Sequence, residues 1–306
     1  MSGGALGRRW LHRLASLCFV LVAASSSGYL LLRAAPGDPV ELLSASARDA
    51  RPERKAELRR QYGLDEPAGL AALRWSGRVL RGELGVSFLD GRSVVVKVGE
   101  RLPVTLGLAL LTLILAAAVG LLLGQRLVGA APRAQLISAV VYALPTAALA
   151  VIALGLGAPY GKASSLVPAA LCLALPLGSS LALQLGQTLT ATLAEPFVTT
   201  LRARGLAEAA VRRRALVASL GPAIALAFGQ LPALLSGALV VEVLLGVPGL
   251  GLLAYEALLS RDYPVVLGLL VVSAGTALVA SWIGDGLRRL VDPRLGSDGD
   301  RPGEGA

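Results

Sequence analysis

The sequence predicts an all-α integral membrane protein: six transmembrane helices, with a small extracytoplasmic helical cap after the first. Three observations predict it. Of 306 residues, 55% are hydrophobic and 16% are charged. Counting glycine in place of tyrosine brings the apolar share to about 65%, against roughly 45–50% in soluble domains. The charges avoid six apolar runs, Leu14–Leu32, Leu102–Gly124, Leu136–Gly157, Leu166–Gln187, Ala223–Leu245 and Pro264–Gly284. Together these runs hold 130 residues and one charged side chain, Glu242, whereas the other 176 residues carry 48. Finally, the basic residues gather in alternate short loops.

Each run has 19 to 23 residues, and about 20 helical residues cross the hydrocarbon core. A soluble bundle would place a charged face on every helix, and these runs have none. Lipid offers no hydrogen-bond partner to a backbone, so the runs are expected to be helices. Arg8, Arg9 and Arg13 precede the first run. Arg126 and Arg133 lie between the second and third, and Arg202, Arg204, Arg212, Arg213 and Arg214 between the fourth and fifth. The opposite loops carry only Lys162 and Arg261. Basic short loops stay in the cytoplasm, so both termini are expected inside. The long segment 33–101 is mixed in sign, with 13 basic and 10 acidic residues, and is expected to cross regardless of charge. The first run exceeds the 7–15 apolar residues of a signal-peptide core, so it is expected to remain as a span.

After the first span, Pro36 ends the helix because proline cannot donate to the helical ladder. Asp38-Pro39 is a cap and first-turn pair for a new short helix. Pro52–Gln61 has good helix formers and stops near Gly63. Asp65-Glu66-Pro67 starts another helix running to about Arg81, and Gly82, Gly85 and Gly91 break the chain before the second span at Pro103. The loop 158–165 is very short. Pro145, Pro168, Pro176 and Pro232 lie within spans, where they are candidate kinks.

Several chemistries are excluded. Cys18 and Cys172 both lie in apolar runs, and His12 is the only histidine, so no zinc site or disulfide framework is expected. Gly161-Lys162 lacks the earlier glycine (Leu156 stands there) and the following hydroxyl (Ala163) of a phosphate-binding loop. No HExxH or GxSxG pattern occurs. The net charge of +9 reports topology, so nucleic acid is not an expected partner.

The loop 188–221 is the most informative. Glu195-Pro196 opens a helix over Phe197–Arg204, Gly205 supplies a left-handed stop, and a second helix over Ala207–Leu220 ends at Pro222. Such an elbow offers Phe197, Leu201 and Leu206 to a partner groove with arginines at the rim. An amphipathic connector lying on anionic lipid is the alternative. Glu242 lies three residues from the outer end of its span. There a charge costs less than the about 2.5–3.5 kcal/mol of the bilayer centre, and it is expected to be structural or gate-lining rather than a cargo ligand. Pro248-Gly249-Leu250-Gly251 reads as the turn into a short helix, Leu252–Ser260.

Four ordered stretches carry a family resemblance. The first is Leu32-Arg33-Ala34-Ala35-Pro36-Gly37-Asp38-Pro39. The second is Tyr62-Gly63-Leu64-Asp65-Glu66-Pro67 through Arg81-Gly82-Glu83-Leu84-Gly85 to Glu100-Arg101-Leu102-Pro103 and Thr105. The third runs from Phe197 to Leu206. The fourth is Glu242, Pro248-Gly249-Leu250-Gly251, Arg261-Asp262-Tyr263-Pro264 and Asp292-Pro293-Arg294. With these, the chain resembles the permease subunit of bacterial ABC importers of the dipeptide/oligopeptide/nickel branch. Thr199-Thr200-Leu201 stands where the wider class has Glu-Ala-Ala, Leu245 replaces a common aromatic, and the loop's second half is unusually arginine-rich.

The resemblance implies a type I importer fold and an ATP-driven permease for dipeptides or oligopeptides, not an enzyme, in the bacterial inner membrane. It implies a second permease subunit, two cytoplasmic ATPase subunits that bind the ATP and Mg, and an extracytoplasmic solute-binding protein. Phe197, Arg202, Arg204, Gly205, Leu206 and Glu208 are the expected ATPase-coupling surface. Glu242, Pro248, Gly249 and Gly251 are the expected outer gate or its scaffold. The expected division is an N-terminal region 1–101, a transporter domain 102–290 with the coupling loop at 195–221, and a tail 291–306. An ion-coupled secondary transporter is the alternative; one peripheral acid and no visible repeat argue against it.

Overall fold

The computed structural model describes residues 3–34, 65–129 and 132–291. The expected helix start at Asp38-Pro39, the helix 52–61, the stop at Gly63 and the tail with Asp292-Pro293-Arg294 lie outside the described residues. Among the described residues the fold is helical, with a single isolated bridge between Val86 and Ser93 as its extended pairing. In order come α1 (Gly3–Ala34), α2 (Ala68–Leu80), α3 (Val94–Leu127), α4 (Pro132–Ala143) and α5 (Thr146–Gly155). A 3-10 turn (Ala163–Ser165) precedes α6 (Leu166–Leu193), α7 (Pro196–Ala203) and α8 (Glu208–Gly229). Then follow α9 (Leu231–Leu245), α10 (Leu250–Leu259) and α11 (Tyr263–Val291).

Four stretches are long and apolar enough to cross a bilayer: Leu11–Leu31, Val94–Leu127, Ala163–Leu193 and Tyr263–Gly286. Two broken pairs, α4 with α5 and α9 with α10, raise the number of candidate spans to as many as six. The third expected span, Leu136–Gly157, is therefore two helices bent by 88° at Leu144–Pro145. The fifth, Ala223–Leu245, is interrupted at Gln230. Proline explains both breaks: Pro145 and Pro232 lack the N–H that would continue the ladder, and their rings crowd the carbonyl four residues earlier. The expected stop at Pro222 is overturned, because α8 runs through it to Gly229. There α8 packs against α6, and Ser219 Oγ donates to Thr192 Oγ1 at 3.0 Å, so tertiary contact holds the helix past the missing bond. Likewise α3 starts at Val94 and contains Pro103.

The chain divides into two compact units, one from 1–103 with 252–278 and one from 104–251 with 279–306. In the first unit, α2 lies on α1. Ser76 Oγ is 2.8 Å from Ser25 Oγ and 2.9 Å from Ser26 Oγ, beside the buried Trp75 and Tyr29. Gly28 lets α1 approach α11, since a Cβ there would meet Leu270 Cδ2 at 2.7 Å. Between α2 and α3 the chain makes a tight turn. Ser87 N–H donates to Arg92 O and Val94 N–H to Gly85 O, with Gly82, Gly85 and Gly91 at positive φ. Asp262 locks this turn from the start of α11. It is 1% exposed, and its carboxylate accepts from Phe88 N–H at 3.0 Å and from Ser87 Oγ. Lys97 Nζ lies 3.0 Å from Asp90 and 3.9 Å from Asp262. The Lys97 hydrogen bond holds the Asp90 carboxyl down at about 2.

In the second unit α6 is the centre. Its apolar window is 67% buried, against 11–28% in the other three long spans, which leaves their faces free for lipid. α3 and α6 interlock through glycine. A Cβ on Gly120 would sit 2.7 Å from Leu181 Cβ, and one on Gly178 would sit 2.7 Å from Val119 Cβ. Gly124 and Gly186 continue the seam against Leu185 and Leu127. Small residues at four-residue spacing permit this backbone approach, and in lipid such packing replaces the hydrophobic effect as the force between helices.

Three outcomes are expected. Gly178→Val should overpack the seam by about 1–3 kcal/mol and lower the thermal midpoint of the solubilised chain. Gly107→Ala, with nothing within 4 Å of its Cβ, should leave that midpoint unchanged. Asp90, depressed when folded, should contribute its full stability above its ordinary value of 3.8 and lose it as pH falls toward about 2. Amide exchange across residues 86–93 should therefore lose protection over that window, and the Asp90→Asn variant should show no such step.

Candidate coupling elbow and outer turn

The elbow forms for local reasons. Glu195, in extended backbone, holds the N-cap position of α7 without a side-chain capping bond, and Pro196 occupies the first helical position, where its missing N–H costs nothing. Gly205 adopts φ +76° and ends the helix in a Schellman motif. Its N–H donates to Arg202 O at 2.9 Å, and Leu206 N–H donates to Leu201 O at 3.4 Å. α8 then starts at Glu208. Arg202 grips Glu208 with two bonds, Nε–Oε2 at 3.1 Å and Nη2–Oε1 at 2.8 Å. This bond lowers the Glu208 carboxyl below its usual range, and Glu208 raises Arg202 in turn. The pair is exposed, so it bridges the two helices but favours their angle only weakly.

The expected coupling residues are brought together. Phe197, Arg202, Arg204, Gly205 and Glu208 are exposed around one turn, and Leu206 is half-buried. Sequence reasoning did not foresee the anchor beneath them, Val198, Val211 and Ala215, each fully buried. The signal was present as the i, i+4 pair Val211 and Ala215 on α8, opposite the arginines.

The second cluster surrounds Glu242 on α9. The side chain is fully buried, and Oε2 accepts from Gly251 N–H at 2.6 Å. Thr105 Oγ1 accepts from Leu250 N–H at 2.9 Å. These two acceptors take the first N–H groups of α10, donors that no helical carbonyl can reach. A carboxylate there also meets the positive end of the helix dipole. The motif Pro248-Gly249-Leu250-Gly251 follows from this geometry. A Cβ on Gly249 would lie 2.4 Å from the Glu242 carboxylate, and one on Gly251 would lie 2.4 Å from Leu239 O. Gly246, at φ +65°, ends α9. Gly161 N–H donates to Leu245 O at 3.1 Å, so the short loop after α5 caps the same helix end. Thr105 and Gly161 were quoted from the sequence without these roles. Nothing in their neighbourhood along the chain points to residues more than 80 positions away.

No group of three or more metal-ligating side chains occurs among the described residues. The arrangement is one of anchored turns and capped helix ends.

Comparison with known proteins relates the chain to a family of transport proteins. A family model described as "Binding-protein-dependent transport system inner membrane component" matches residues 116–297. The chain is 28% identical to the "Probable peptide ABC transporter permease protein y4tP" of Sinorhizobium fredii, over 93% of this chain and 98% of that one. It is 27% identical to the oligopeptide transport system permease protein AppB of Bacillus subtilis, over 90% and 95%. It is 25% identical to the dipeptide transport system permease protein DppB of Lactococcus lactis, over 93% and 98%.

Glu242→Ala removes a buried acceptor and should cost about 1–3 kcal/mol, read as a lower thermal midpoint and faster exchange at the Leu250 and Gly251 amides. Glu242→Gln keeps an oxygen acceptor and should recover most of that loss.

Proposed function

We propose, because the chain belongs to the family of binding-protein-dependent transport system inner membrane components, that it forms half of a peptide translocation path driven by ATP hydrolysed on other subunits. As a permease subunit of an ABC transporter it is a multi-pass membrane transport protein rather than an enzyme, and family membership displaces the ion-coupled alternative. Its partners in this reading are a second permease subunit, two cytoplasmic ATPase subunits that hold ATP and Mg, and an extracytoplasmic solute-binding protein. The peptide class rests on the relatives' names. Six spans of the cell membrane with both termini in the cytoplasm, and a cap outside after the first, fit the basic loops. The reading divides the chain into an N-terminal region over 1–101, a transporter domain over 102–290 and a tail over 291–306.

One observation carries the mechanism: the elbow is exposed on one side and anchored on the other by the buried Val198, Val211 and Ala215, with the Arg202–Glu208 pair bridging its two helices. Phe197, Arg202, Arg204, Gly205, Leu206 and Glu208 dock in a groove of an ATPase subunit. When the ATPase dimer closes it draws the elbow inward. Val198, Val211 and Ala215 pass that displacement to α6 and α8, because a buried anchor cannot lag behind its exposed face. Such a switch works only through contacts that differ between the two states. At the other end, Glu242, Pro248, Gly249 and Gly251 scaffold the outer gate by fixing the start of α10, and Glu242 acts there as a helix cap rather than a cargo ligand.

Gly205→Val places a β-branched residue at positive φ, where it is strongly disfavoured. It should insert normally yet lose most ATPase capture in a mild-detergent pull-down. Unchanged capture would reject the docking role. In intact cells, a thiol placed by Arg204→Cys in a chain lacking Cys18 and Cys172 should resist impermeant reagents until the membrane is opened.

A further inference from the structure

Three more arginines follow the coupling surface on α8. Arg212, Arg213 and Arg214 are exposed, and none makes a hydrogen bond or ion pair with a described residue. We propose that they form a binding site for anionic phospholipid headgroups, set at the membrane surface by α8 itself.

The argument rests on how α8 is oriented. Its inward row is Val211, Ala215 and Ser219, all fully buried, and Ser219 is hydrogen-bonded to Thr192 of α6. Arg213 lies on the opposite side, in line with Val217 one turn further along the same helix. Val217 is 63% exposed. A guanidinium and a bare valine therefore share one outward row, about 6 Å apart along the axis. That order, charge first and apolar surface next, matches the step from phosphate to acyl chain at a bilayer surface. α8 continues without a break to Gly229, so the arginines are held at a fixed height above the apolar half of the helix.

Arg212 and Arg214 lie about 100° to either side of Arg213. Three consecutive arginines thus fan over about 200° of the helix circumference. A protein groove meets one edge of such a fan, whereas a lipid surface wraps around the helix and meets all of it. The nearest acid on α8 is Glu208, four residues before Arg212; Arg202 grips it with two bonds, and Arg212 adds only the smallest of the pulls on it. Basic residues immediately outside a spanning helix attract anionic headgroups over about one Debye length. Arginine suits phosphate because its planar fork donates two parallel bonds.

The inference rests on placing the loop at the membrane surface, and its test is built so that failure of that reading is seen separately. The full chain, co-expressed with its transporter subunits, is purified in mild detergent and offered equimolar phosphatidylglycerol and phosphatidylcholine. Bound lipid is then counted by native mass spectrometry. The wild type should retain phosphatidylglycerol in preference, and R212Q/R213Q/R214Q should lose that preference about fivefold while still capturing ATPase subunits. R212K/R213K/R214K keeps the charge and should retain most of the preference, which separates lost binding from lost folding. Inorganic phosphate at the same concentration should not displace the lipid; full displacement would make this a general anion site and overturn the proposal. Equal lipid retention by the wild type and the glutamine variant would also overturn it. Lost ATPase capture with unchanged lipid would overturn it by assigning the arginines to the protein interface.

Discussion

A backbone in lipid has no water to turn to, and every other feature of this chain answers to that constraint. Six apolar runs solve most of it by becoming helices, whose N–H and C=O groups satisfy one another. The difficulty returns wherever a helix is interrupted, because each new end exposes donors or acceptors. At the break between α9 and α10, Glu242 and Thr105 accept from Gly251 and Leu250, and Gly161 donates to the terminal carbonyl of Leu245. A buried carboxylate, a hydroxyl and a neighbouring loop together make a break tolerable there. Glu242 is the one charged residue in the apolar runs because a helix start needs an acceptor, and a carboxylate at the positive end of the helix dipole is a strong one.

The same constraint changes what packing means. With lipid as apolar as leucine, helices gain little by hiding leucine and must instead fit closely. The α3–α6 seam does this with Gly120, Gly124, Gly178 and Gly186, each facing a neighbour that leaves almost no room for a methyl group. Gly249 and Gly251 obey the same logic at the capped turn. Ser76, shared between Ser25 and Ser26, adds polar contact where α2 meets α1. Positions that look like low-complexity glycine and serine are the places of closest approach.

The elbow divides its charges by their partners. Arg202 and Glu208 face each other and bridge the two helices. Arg204 and Phe197 stay exposed around a glycine turn, and Arg212–Arg214 stand apart on the first turns of a long helix. In the proposed reading this separates a docking surface from the charges that meet the bilayer. Asp262 makes an analogous economy elsewhere, holding the turn at residues 86–93 through a backbone donor and a hydroxyl while Lys97 neutralises it.

Much of this was written in the order of residues. Long uncharged runs determined a helical membrane protein, since a soluble helix needs a charged face and these runs have none. Glu195-Pro196 and Gly205 determined the elbow, because a cap, a first-turn proline and a left-handed glycine act within a few residues. Other features needed the folded chain. Prolines were ambiguous alone: Pro145 and Pro232 mark breaks, whereas Pro103, Pro176 and Pro222 ride inside helices, Pro222 beside the Ser219–Thr192 contact. The roles of Thr105, Gly161 and Asp262 were invisible because their partners lie far along the chain. The spacing Pro248-Gly249-Leu250-Gly251 gained its reason only when Glu242 and Leu239 O were found against it. Local chemistry sets where helices begin and what they can tolerate; tertiary contact decides which breaks are real and which groups satisfy them.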